Sequence, residues 1–251
     1  MAARTNLSVN LNKVALVRNS RGGGVPDIVE AARIVIDAGC DGLTVHPRAD
    51  ARHATLDDVR RLAAIDAVRR GAIELNIEGD LRPELVQLVA EVRPTQFTMV
   101  PVLPGEVTTT RGWHGAADQA KLAAAIAPFA GSVRISLFID PAAAGARLAA
   151  AAGAQAVELH TYEYAQAHPT ARRAEALARY EAAAREARAL GLRVHAGHDL
   201  DLDNLGDLVD RIHPDEVSIG HALVTQALLT GLPGITGRYL DILRERTGRT
   251  A

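Results

Sequence analysis

Several ionisable side chains close short, apolar-alternating runs of this 251-residue chain, and their types suggest proton chemistry. His46 ends GLTVH, Glu78 ends AIELNIE, Glu158 and His160 lie in AVELH, and His198 follows LRVHAG. Two carboxylates and several imidazoles at one mouth suit general acid–base work, because burial and neighbours can push their pKa values apart. For His160 and His195 a hydrogen-bonded core role stands equally open. A second set suits anions. Gly220 and His221 precede a helical stretch, and a helix N-terminus attracts phosphate. Arg21 stands beside Gly22, Gly23 and Gly24, and Arg48 lies near His53. Together these point to small substrates that carry more than one phosphate.

Such groups need a frame that brings distant strand ends to one place. Strand-like runs are expected at 7–12, 42–46, 72–78, 96–100, 133–139, 156–160, 192–196 and 216–221. Helical stretches are expected over 26–38, 55–71, 83–92, 116–130, 142–152, 170–190 and 204–211, with closing helices at 222–229 and 238–246. Strand and helix alternate eight times over short connections, which is the pattern of an α/β single-domain (β/α)8 TIM barrel spanning 1–251. Residues 14–24 are expected as a loop. Residues 101–113 form the longest stretch without a period, which favours an active-site lid.

If the Val, Ile, Leu and Phe positions of each strand face the helices, the other set fills the barrel. That set includes Asn10, Asn12, Thr44, His46, Glu74, Asn76 and Glu78. Further along the chain it includes Gln96, Thr98, Arg134, Ser136, Asp140, Glu158, His160, Arg193, His195 and Ser218. An unpaired buried polar group costs about 1–3 kcal/mol, so these must pair, hold water or face a ligand. Arg134 and Arg193, early in their strands, are expected to form structural ion pairs at the barrel bottom.

Composition narrows the classes. A net charge of −2 gives no reason to expect nucleic acid or an anionic membrane surface as partner. Cys40 is the sole cysteine, which rules out an intrachain disulfide and CxxC motifs. No run is long enough to span a bilayer and the N-terminus lacks an apolar signal region, so a cytoplasmic protein is expected.

The motifs in order also carry a family likeness. Val9–Asn10 with Leu16–Gly22, Gly42–Arg48 with Arg52 and His53, and Asn76–Gly79 resemble the pyridoxine 5′-phosphate synthase family. So do Glu106–Thr109, Val133–Asp140, Val157–Thr161, Ala196–His198 and Ile219–Ala222. The resemblance implies a barrel enzyme without cofactor or metal, assembled as a homo-oligomer, an octamer built from dimers. It implies condensation of 1-deoxy-D-xylulose 5-phosphate with 3-amino-2-oxopropyl phosphate to pyridoxine 5′-phosphate, phosphate and water. By this likeness His46 is an acid/base, Glu78 the general base, Glu158 a stabiliser of transition-state charge and His198 a proton donor. Arg48, His53 and Thr108 are implied contacts for the deoxyxylulose phosphate. Asn10, Arg21, Gly220 and His221 are implied for the aminooxopropyl phosphate.

Four positions depart from the family's usual pattern. Asn12 and Lys13 stand where Asp and His are common, on the deoxyxylulose phosphate side. Asp199 replaces a usual Gly, and His195 a usual Asn. Asn12, Lys13 and Asp199 are therefore expected to touch substrate in a variant subgroup. Two alternatives use the same residues: a metal-dependent barrel hydrolase or isomerase with His46, Glu78, His160 and His198 as ligands, and a non-catalytic phosphosugar-binding paralogue.

Overall fold

In the computed structural model, which describes residues 4–102, 109 and 111–247, eight parallel strands close into a barrel. They are β1 (Asn6–Asn10), β2 (Gly42–Val45), β3 (Glu74–Gly79), β4 (Gln96–Met99), β5 (Arg134–Ile139), β6 (Ala156–His160), β7 (Arg193–Gly197) and β8 (Glu216–Ile219). Each pairs with its sequence neighbours, and β1 closes on β8 through Leu7 opposite Val217. The chain is a (β/α)8 barrel, as its alternation predicts.

The two faces of each strand divide as expected. Leu7, Val9, Leu43, Val45, Ile77, Phe97, Leu137, Val157, Val194 and Val217 are all fully buried in the apolar core. This layer is what the amphipathic helices cover. The inward face is polar and pairs with itself. The Ser8 and Thr44 hydroxyls lie 2.7 Å apart, the Thr98 hydroxyl donates to Asn76 Oδ1 at 2.9 Å, and Arg134 Nε donates to Gln96 Oε1 at 2.8 Å. Arg134 also pairs with Glu74, and Arg193 lies 3.8 Å from Asp215. Both arginines thus sit in ion pairs at the barrel's lower end. The lower interior is thus paired in part, whereas Ser136 Oγ, both ring nitrogens of His195 and the Nε2 atoms of His46 and His160 are buried without a hydrogen-bond partner among the described residues.

Several boundaries differ from expectation, for local reasons. The expected loop at 14–24 is in its first half a helix, Asn12–Asn19. Its buried positions, Val14, Ala15 and Arg18, recur at helical spacing, and Arg18 forms a two-pronged pair with Asp58 at 2.6 and 2.8 Å. No side chain caps its start, so the usual sequence signal is missing. Asn12 therefore opens a helix instead of ending β1. The expected helix at 55–71 starts with a capping box between Thr55 and Asp58 but breaks after Ala63, where Ile65 is extended; a short turn, Asp66–Arg69, follows. A six-residue helix, Tyr162–Ala167, precedes the long helix Arg173–Ala189. Pro83–Val92 and β6 match their expected bounds.

Candidate active site

The strand ends open into a cavity of about 630 Å³ at the carboxyl-terminal mouth, where barrel chemistry sits. Glu78, near the end of β3, places its carboxylate 4.0 Å from His46 Nδ1 and accepts a 3.4 Å hydrogen bond from the Asn10 side chain. Only 13 % of the Glu78 side chain is exposed. Burial pushes its carboxyl up to about 7, against the opposing pull of His198 and the Asn10 hydrogen bond. A carboxylate poised there can take and return protons near neutrality.

His46 is buried at the exit of β2. Burial, together with the charges of His53, Arg48, Arg82 and Arg52, holds its imidazole well below the usual range, so it is neutral at pH 7. Its backbone N–H donates to Asn12 Oδ1 at 2.8 Å. Asn12 N in turn donates to Asn10 Oδ1 at 3.0 Å. The amide oxygen of Asn12 thus supplies the acceptor that an aspartate would supply, without its charge. That single bond ties the start of the Asn12–Asn19 helix to the exit of β2.

Glu158, inside β6, is almost fully buried. Burial first, then the neighbouring carboxylates Glu78 and Glu216, drives its carboxyl well above the ordinary range. Its Oε1 packs against the backbone of β7 so closely that a Cβ on Gly197 would stand 2.4 Å away. Any larger residue at 197 must displace the carboxylate. His198 follows directly, edge-on to His160 with ring centroids 4.7 Å apart at 89°. Asp199 Oδ2 lies 3.3 Å from His198 Nδ1.

The rim is cationic. Lys13, Arg48, Arg52 and His53 line the cavity, as do Gly220 and His221 at the start of the helix His221–Thr230. Burial and the nearby arginines lower His53 to about 4, so it offers a neutral donor or acceptor. Asp50 is 3.2 Å from Arg52 Nε and 3.9 Å from Arg48 Nε.

The cavity therefore gathers Asn10, Asn12, Lys13, His46, Arg48, His53, Glu78, Glu158, His198, Asp199, Gly220 and His221. Arg21 is not among its lining residues and lies exposed on the turn after the Asn12–Asn19 helix. Thr108 and most of the expected lid, residues 103–108 and 110, fall outside the described residues. The described part of that stretch is anchored: Trp113 is buried, its indole N–H donating to Met99 O at 2.9 Å, and Thr109 lines the cavity. Tyr162 was missed. It belongs to the unexpected six-residue helix, and its ring stacks over His160 at 6.0 Å and 17°. One of four tyrosines in the chain, two residues past a strand-ending His, was the available signal. Among the described residues, no three His, Cys, Asp or Glu side chains are grouped so as to hold a metal ion.

Residues 7–245 match the family of pyridoxal phosphate biosynthesis protein PdxJ. The chain belongs to the PdxJ family. A relative named pyridoxine 5′-phosphate synthase, from Xanthomonas axonopodis pv. citri (strain 306), is 46% identical over 250 residues, covering 96% of this chain and 97% of its own. Another of that name, from Xylella fastidiosa (strain M23), is 43% identical over 257 residues, with 97% and 96% covered. Two solved barrels share the fold alone. Mycobacterium tuberculosis tryptophan synthase aligns with TM-score 0.63 and 16% identity over 96% of this chain and 93% of that one. Phosphoribosyl anthranilate isomerase from Thermotoga maritima aligns with TM-score 0.59 and 10% identity over 96% and 99%. Within the PdxJ family frame, Asn12, Lys13 and Asp199 all line the cavity, whereas His195 lies buried below it, 3.9 Å from Glu216.

Proposed function

We propose that this chain is a pyridoxine 5′-phosphate synthase, joining 1-deoxy-D-xylulose 5-phosphate to 3-amino-2-oxopropyl phosphate with release of phosphate and water. One observation carries the assignment: a carboxyl held near 7, beside a neutral imidazole, lies at the floor of a cavity rimmed by cations. The reaction needs that combination. Imine formation, loss of water and ring closure each move protons between carbon, nitrogen and oxygen, and each is favoured where bulk water is kept out.

Glu78 acts as general base, taking the proton released when the amine nitrogen or an adjacent carbon forms its new bond. His46, neutral and 4.0 Å from Glu78, exchanges protons with the same centre. Glu158, whose carboxyl burial raises well above the ordinary range, donates a hydrogen bond from its protonated form to charge that develops on the substrate. His198 supplies the proton that lets a hydroxyl depart as water. Lys13, Arg48 and His53 hold the deoxyxylulose phosphate, while Asn10 and the Gly220–His221 helix start hold the aminooxopropyl phosphate.

The enzyme works in the cytoplasm as a homo-oligomer. Leu16 and Val17 on the Asn12–Asn19 helix, and Leu228 and Leu229 on the adjoining helix His221–Thr230, are exposed apolar residues suited to a subunit contact. Among the described residues no helix is long and apolar enough to cross a membrane.

Incubating the purified protein with both phosphates should yield pyridoxine 5′-phosphate by mass spectrometry. The gene should also restore growth to a pyridoxine auxotroph. Binding of both phosphates without product, in the purified protein and in cells, would make the chain a non-catalytic phosphosugar binder.

A further inference from the structure

His198 and Asp199 are consecutive, neither is glycine, and both adopt positive φ, 87° and 58°. Side chains rarely tolerate that region, and strain of this kind persists only where surrounding structure enforces it. Here it is enforced from both sides. The buried Thr161 hydroxyl bonds to the carbonyls of Gly197, at 2.7 Å, and of His198. The Asn204 amide bonds to the carbonyl of Asp199 at 3.1 Å. The turn puts the Asp199 carboxylate 3.3 Å from His198 Nδ1, with the imidazole edge-on to the rings of both His160 and Tyr162. Contact with His198, and the charges of His221 and His160, hold the Asp199 carboxyl below its usual range. An ionised carboxylate repels a phosphate, so direct phosphate binding is a poor use for this residue.

We propose that Asp199 is a positioning residue for His198: its carboxylate accepts the Nδ1–H, fixing the tautomer and turning Nε2 to the substrate. This rests on the assignment of His198 as proton donor. During dehydration the His198 imidazolium gives its Nε2–H proton to the departing oxygen. That oxygen keeps the electron pair of the breaking carbon–oxygen bond and leaves as water, while Glu78 takes the proton from the adjacent substrate atom as the new double bond forms. The imidazole is left neutral, with Nδ1–H still held by Asp199. Contacts of this type are often long in an empty site and tighten around the reacting complex.

The test compares Asp199→Gly with Asp199→Asn in the full chain. Glycine accepts positive φ without strain and asparagine tolerates it, so both variants fold. Asp199→Gly should raise the melting temperature while lowering kcat at least tenfold, with both KM values within about twofold. Asp199→Asn should lose kcat similarly, because its amide can donate to Nδ1 and favours the other tautomer. Nitrogen-15 NMR of the histidine side chains, with His198 assigned from the signal absent in His198→Gln, should show Nδ1–H in the parent and not in Asp199→Gly. Unchanged kcat in either variant overturns the proposal, as does a rise in KM alone or a parallel fall in melting temperature and kcat. A His198 ring that carries a proton at Nε2 and none at Nδ1 in the parent protein overturns it whether or not the parent makes product. A parent that makes no product while showing Nδ1–H refutes the proposed activity and leaves the contact standing.

Discussion

At the scale of single residues, Glu78 and Lys13 separate chemistry from binding. A base must be deprotonated to act, and the Glu78 carboxyl titrates near 7. Turnover should therefore show an ascending limb near pH 7. Glu78→Gln keeps the shape and the packing but removes the base, so kcat should fall by about 10²–10⁴-fold and the limb near 7 should vanish. Near parental turnover in the purified variant would remove Glu78 from the mechanism. Lys13 lines the cavity beside His53, whose imidazole its charge helps to keep neutral. Lys13→Ala should raise KM for the deoxyxylulose phosphate more than for its co-substrate, by about 1.5–3 kcal/mol, as expected for a lost charge-assisted hydrogen bond. Steady-state kinetics with each substrate varied in turn decides it, and equal effects would place Lys13 outside the sugar phosphate subsite.

At the scale of elements, the site depends on how strands abut. Opposite Glu158 in register are Phe138 on β5 and His195 on β7, and the carboxylate is steered against Gly197. Gly197→Ala adds one methyl where 2.4 Å is available. The carboxylate must swing away, since the strand backbone is locked in its ladder. We expect kcat to fall at least tenfold while the far-ultraviolet circular dichroism spectrum stays that of the parent. An alanine variant of full activity would show that the placement of Glu158 is immaterial. The Asn12 link works at the same scale, because one amide oxygen joins the first helix to the end of β2. An aspartate at position 12 could make the same bond through a carboxylate oxygen, so the backbone link does not depend on the amide.

At the scale of the whole molecule, buried titratable groups set the pH dependence of stability. Three carboxyls, Glu78 at about 7, Glu216 at about 8 and Glu158 well above its usual value, hold their protons more tightly folded than unfolded. Their contribution is complete below about 4.5 and is lost as pH rises toward 8. Three imidazoles, His53 at about 4, His195 at about 3 and His46 well below 6.5, bind protons less tightly folded than unfolded. Their contribution is complete above 6.5 and is lost as pH falls below it. The two sets oppose one another between about 4.5 and 6.5. Each group in its window contributes a slope of about 1.4 kcal/mol per pH unit. We therefore expect a plateau of melting temperature between about pH 4.5 and 6.5, then a decline toward 8. A melting temperature that climbs from 6.5 to 8 would mean that the carboxyls are ionised and paired in the folded state.

Much of this protein was already legible along the chain. Alternation of period two, broken by helical stretches at eight places, specifies the barrel, because each strand must bury its apolar face under helices. His46, Glu78 and His198 stand out because a polar group at or just past the end of such a strand has no place in an apolar core, and Glu158 because a carboxylate within a strand must find a polar neighbour. Local sequence also carried the capping box at Thr55 and the proline start at Pro83. Other features depend on contacts distant in sequence. The Asn12–Asn19 helix has no cap and is held by Arg18 reaching Asp58, forty positions on. Tyr162 meets His198 only after β6 and β7 lie side by side. Whether Arg48, Arg21 and Asp199 share one cavity is a matter of loop direction, which strand periodicity does not encode; Arg48 and Asp199 line it and Arg21 does not. The charge states follow the same division. A carboxyl's identity is written in the chain, but its pKa comes from desolvation and from neighbours that only the closed barrel assembles.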